Sequence, residues 1–203
     1  MGATKLDLKR LERTAWRSYH QDGLWDVFIG LLLLSAGISS MVGSDWLNLV
    51  LMLSASAVMA LGKHFVTVPR MGIVQFGPER RAKNRKVTAL LFLAVLLGVA
   101  LYGAAVTNLE VLGWQPNQGV LTTLAMSLVI LVIFGGIAYW MDFPRMMLLG
   151  LAFAAAFAGS RLFNTPVMFL ITGAAVLLWG TVLFAHFVRK HPVPAERGGH
   201  ERE

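Results

Sequence analysis

Between Lys86 and Asp142 the chain carries a single charged residue, Glu110. Such stretches recur along its 203 residues as six apolar runs: about Leu24 to Val42, Trp46 to Val66, Val87 to Thr107, Val120 to Met141, Met146 to Phe163, and Pro166 to Val188. No soluble core needs uncharged runs of that length, whereas a bilayer with about 30 Å of hydrocarbon needs about 20 apolar residues per helix. Composition agrees, with 14% charged residues against a usual share of about 25% and a mean hydropathy of +0.63. The expected fold class is an all-α membrane protein, a compact bundle of six transmembrane helices. Its expected organisation is an amino-terminal segment over residues 1–23, a transmembrane domain over 24–188 and a disordered tail over 189–203.

Laid on six spans, all but one of the 18 Lys and Arg residues fall on the same side. Lys5, Lys9, Arg10, Arg13 and Arg17 precede the first run. Lys63, Arg70, Arg80, Arg81, Lys83, Arg85 and Lys86 follow the second, Arg145 the fourth, and Arg189, Lys190, Arg197 and Arg202 the sixth. Arg161 alone falls opposite. Lys and Arg in short loops are retained on the cytoplasmic face, so this pattern predicts a cell-membrane protein with both termini cytoplasmic. The net charge of +7 has the same explanation. The basic residues flank spans and suit anionic lipid headgroups, so membrane lipids are the expected partners and nucleic acid is not. A protein partner or a second copy of the chain is the other expected contact.

The chain lacks cysteine, which excludes disulfides and thiolate metal sites. The first run is too long for a signal-peptide core of roughly 7–15 residues and reads as a retained span. Before it, Leu8, Leu11, Ala15 and Tyr19 recur at helical spacing among basic residues, the pattern of an interfacial helix. Small residues four apart, such as Ser56 and Ala60, Ala152 and Ala156, or Ala155 and Gly159, predict close helix packing.

Two links hold the polar detail. Tyr19-His20-Gln21-Asp22-Gly23-Leu24-Trp25-Asp26 leads into the first span, with Asp22 placed to cap it and Asp26 one turn on. After the second span, Val66, Val68, Val74 and Phe76 alternate around Pro69-Arg70-Met71-Gly72, which predicts a short cytoplasmic β-hairpin, with plain coil as the alternative. The shared depth and opposite charge of the two links predict that they pack together, Arg70 pairing with Asp22 or Asp26 or holding a lipid headgroup. Tyr19, Asp22, Asp26, Arg70 and Gly72 are therefore the candidate inner-face surface. A Pro-Arg-Met shared by residues 69–71 and 144–146 is too short to establish a repeat.

Together the two links resemble a group of uncharacterised prokaryotic integral membrane proteins. In that group Tyr-x-x-Asp-Gly-Leu-x-Asp/Glu precedes the first span and Pro-Arg-x-Gly-x-Val-x-Phe follows the second. The match extends to Phe76; the later spans match only as apolar helices. The resemblance implies class and topology and no activity.

No catalytic residues, cofactor or metal are expected, since no phosphate loop, zinc helix or nucleophile elbow is present. The expected role is binding, structural or accessory, at the inner membrane face. One alternative is a small transporter or channel component lined by Ser35, Ser39, Ser54, Ser56 and Thr172. The second is a lipid-modifying enzyme working near His20, Asp22, His64 and His186.

Overall fold

The computed structural model describes residues 22–71, 82–83, 85–94, 96 and 120–192. The expected interfacial helix, residues 193–203 of the expected tail and most of the third run lie outside these residues, as do Tyr19 and Gly72; Arg189 and Lys190, expected in the disordered tail, instead continue the final described helix. Among the described residues, five helices are long and apolar enough to cross a membrane. They are α1 (Leu24–Val42), α2 (Asp45–Gly62), α4 (Val120–Trp140), α5 (Arg145–Leu162) and α6 (Val167–Lys190). Helix α2 continues through a π-helical turn at Lys63–Thr67 into α3 (Val68–Met71), so that Asp45–Arg70 forms one rod.

The described part of the expected hairpin is therefore helical. In a bilayer every backbone group must be bonded within its own segment, so the rod outlasts the β-branched Val66, Thr67 and Val68. Pro69 cannot donate to the carbonyl one turn back, and the π turn just before it supplies the local adjustment, Val68 N–H bonding to Lys63 O. Residues 72–81, the remainder of that call on the chain's alternation, lie outside the described residues.

Each turn is set by short-range chemistry. Gly43 (φ 69°) closes α1 with its N–H on Ser39 O at 2.8 Å, and Ser44 Oγ accepts from Leu47 N–H to open α2. The α4–α5 and α5–α6 turns share one design. Asp142 (φ 53°) and Asn164 (φ 47°) take the left-handed position, and the next residue's N–H reaches back five residues, Phe143 to Ala138 O and Thr165 to Ser160 O, each at 3.0 Å. Pro144 and Pro166 then start the following helix.

Helix α1 is central. Its principal neighbour is α6, with α2 alongside; α6 also meets α5, and α5 meets α4. The α1–α6 contact is made by glycines seven residues apart, which share a helix face. A β-carbon on Gly30 would lie 2.7 Å from Leu177 N, and one on Gly180 would lie 2.6 Å from Val27 N. Gly23, Gly37 and Gly173 are equally crowded. The expected four-residue pairs contribute less: Ala156 is buried, whereas Ser56 and Ala60 are exposed. Large apolar side chains such as Trp46, Phe65, Leu178 and Trp179 are more than 60% exposed, and a bilayer is the solvent such a surface requires.

Residues 85–94 are helical. Lys83 lies 3.6 Å from Asp142, at the end of α4, and Leu90 lies where a side chain on Gly136 would be, within α4. This segment therefore begins beside the end of α4 and runs back along it.

Candidate functional site

Among the described residues, three of the five largest fully buried side chains are polar: Asp22, Asp26 and Thr67. All belong to one end of the bundle, where α1 and α5 begin and the α2 rod, α4 and α6 finish. Isolated carboxylates do not survive burial, so the partners decide what this end can do.

Asp22 stands just before α1. Its Oδ1 accepts the Leu24 N–H at 3.1 Å, but the cap position itself is held by Gly23, one residue on from the expected Asp22. Its Oδ2 accepts from Lys63 Nζ and from Thr67 Oγ1, each at 2.7 Å. Lys63 and Thr67 are the first and last residues of the π turn, so one distorted turn aims both donors at one oxygen. Asp26, one turn into α1, takes Arg145 from the start of α5. Arg145 Nε donates to Oδ1 at 3.0 Å, and Nη2 lies 2.5 Å from Oδ2, off the axis of a hydrogen bond. Burial of Asp26 is made close by Gly180, since a β-carbon there would touch the Asp26 Cβ at 2.8 Å.

Arg70 does not pair with either aspartate. Its Nη1 donates to Val66 O at 3.1 Å, within its own helix, and its Nε is buried without a hydrogen-bond partner. The carboxylates are instead claimed by Lys63 and Arg145, which the sequence offered only as topogenic charge. One cue was available: Lys63 falls three residues before the end of the second run and Arg145 one residue before the fifth, at the depth where a side chain still reaches inward.

The residues of the two alternative functions do not gather. Ser54 and Ser56 are exposed on α2 and return their hydroxyls to Val50 O and Met52 O. Ser39 bonds to Ser35 O, and Ser35 Oγ lies 2.9 Å from Asn48 Oδ1, a tie between α1 and α2. His64 and His186 are exposed and make no ion pair with Asp22 or Asp26; His20 lies outside the described residues. Among the described residues no three His, Asp or Glu side chains come together as metal ligands would. The arrangement thus supplies fixed ion pairs and a basic rim, including the exposed Arg85, Lys86, Arg189 and Lys190. No protein-family model, curated protein or solved structure matches the chain.

Proposed function

We propose that the protein is a six-span cell-membrane component whose working surface is the basic, cytoplasmic end of the bundle, where it binds anionic headgroups in a structural or accessory role. The observation that carries this reading is the neutralisation of Asp22 and Asp26 by Lys63 and Arg145. With Asp22 and Asp26 internally paired, the exposed Arg85, Lys86, Arg189 and Lys190 outnumber Asp142, the one further acid among the described residues of that end, and leave it net positive. A sixth crossing is supported by the helical 85–94 segment, which runs antiparallel to α4 from the basic end. The resemblance to uncharacterised integral membrane proteins is compatible with this role and adds no activity.

The test is the lipid shell of the reconstituted protein. Each Lys or Arg near the surface attracts anionic lipid by about 1 kcal/mol. Spin-labelled phosphatidylglycerol is expected to be enriched about fivefold over phosphatidylcholine at low salt and to lose that enrichment at high salt. Equal occupancy at low salt would overturn the reading.

A further inference from the structure

Of the basic side chains that reach into the buried end of the bundle, Lys63 has Asp22 and Arg145 has Asp26. Arg70 is half-buried and makes no ion pair among the described residues. It closes the Asp45–Arg70 rod and follows Thr67 by three positions, so it stands one turn beyond the Asp22 cluster on the same side of the helix. An arginine near the end of a span ordinarily extends its guanidinium to the interface. Arg70 does the opposite: Nη1 donates to Val66 O at 3.1 Å, a turn back toward the apolar part of the rod. A guanidinium held inward without a counter-charge carries a desolvation cost that an anion would offset.

The donors left over define the anion. With Nη1 taken, the Nε–Nη2 edge remains, whose two N–H bonds run parallel and suit two oxygens of one group. Arg145 offers that same edge to Asp26, with Nε donating to Oδ1 at 3.0 Å and Nη2 2.5 Å from Oδ2. At Arg70 the corresponding Nε is buried and has no acceptor. One arginine of this end thus shows the edge filled by a carboxylate, and the other shows it empty.

We infer that Arg70 holds a phosphate group, and that an anionic phospholipid of the inner leaflet supplies it. The inference rests on the inner-face reading above and narrows it from a field spread over the rim to one residue. Nε and Nη2 donate to two phosphate oxygens, as those of Arg145 do to a carboxylate. The end of a span lies at headgroup depth, where phosphate is the abundant anion. Asp22 and Asp26 are already held by Lys63 and Arg145, so the ammonium of a zwitterionic headgroup has no acid of this cluster to meet. A headgroup of net negative charge, such as phosphatidylglycerol, is therefore the fitting one.

The test separates a two-bond edge from charge alone. The full chain in detergent is incubated with equal amounts of dioleoyl phosphatidylglycerol and phosphatidylcholine at high salt, and the lipid that survives washing is counted by mass spectrometry. High salt removes the diffuse enrichment of the exposed rim, whereas a half-buried pair is screened far less. Wild type is expected to keep phosphatidylglycerol in preference to phosphatidylcholine. Arg70→Lys retains the charge without the parallel donors and is expected to weaken that retention about tenfold, the worth of one charge-assisted hydrogen bond. Arg70→Gln is expected to weaken it further. Lys190→Gln removes an equal but exposed charge and is expected to leave retention at the wild-type level. Inorganic phosphate added in equal amount is expected not to displace the lipid.

No preference in the wild type at high salt overturns the inference without recourse to any variant, even where the low-salt enrichment stands. Unchanged retention in both Arg70 variants overturns it too, as does a loss in Lys190→Gln equal to that in Arg70→Lys. Displacement by inorganic phosphate would overturn the lipid source. Thermal stability of each variant, expected to match wild type, keeps a lost fold from passing as a lost site.

Discussion

Arg145 closes on Asp26 from 119 residues further along the chain, and Lys63 closes on Asp22 from 41 residues further. Two successive acidic residues at the start of α1 are thus neutralised by two different helices. The pairs fasten α2 and α5 to α1 at one end, while the glycine contact fastens α6 along its length.

Removing one member of a buried pair leaves the other charge stranded, at a cost of about 3–5 kcal/mol, whereas replacing both with apolar groups is far milder. Lys63→Met is therefore expected to destabilise the bundle by about 3 kcal/mol, and the Asp22→Leu, Lys63→Met double variant by less. Unfolding titrations in SDS measure both. A double variant as unstable as the sum of the singles would contradict the pairing.

Glycine substitutions should divide by what surrounds them. Gly30→Ala drives a methyl group into the backbone of Leu177 and is expected to cost about 1–3 kcal/mol, as overpacking does. Gly135→Ala meets only the flexible Met147 Sδ at 3.6 Å and is expected to cost less than about 0.5 kcal/mol. Thermal retention of the monodisperse protein separates the two, and equal losses would count against the α1–α6 contact.

The serines give a finer comparison. Ser35→Ala removes a tie between helices, worth about 0.6 kcal/mol in membrane proteins, while Ser54→Ala removes a bond internal to its own helix. Only the first is expected to register in the SDS titration. A larger loss at Ser54 would point to a role for that face.

The absence of cysteine makes topology directly testable, since each introduced thiol is the only one. In intact cells Asp45→Cys and Asn117→Cys are expected to react with an impermeant maleimide, and Arg85→Cys and Lys190→Cys only after permeabilisation. Reaction of residue 117 on the same side as residue 85 would remove the sixth crossing.

Much of this was legible in the sequence. The first span is seen at Leu24–Val42 as expected, and Asp22 bonds its first N–H, although Gly23 and not Asp22 holds the cap position. Span boundaries are readable because the bilayer demands length and apolarity locally. The partners of the aspartates were not, because nothing in a sequence ties residue 22 to residue 63 or residue 26 to residue 145. The hairpin reading of residues 66–71 failed because alternation and β-branching govern in water, while in lipid the continuous helix is the segment that satisfies its own backbone. The glycine rows were visible at seven-residue spacing, but a search at four-residue spacing passes over them.

The neighbourhood of α1 and α6 has a consequence for how the protein is made. Synthesis delivers α1 well before its main companion, α6, with more than 120 residues between them. During that interval the shallow face of Gly23, Gly30 and Gly37 can find only acyl chains, which have no backbone to bring close, and Asp26 awaits Arg145. A chain halted before Val167 would therefore possess its earlier spans yet lack the element against which α1 is shaped. Arrival of α6, more than insertion of any earlier span, is the event that makes this bundle a unit.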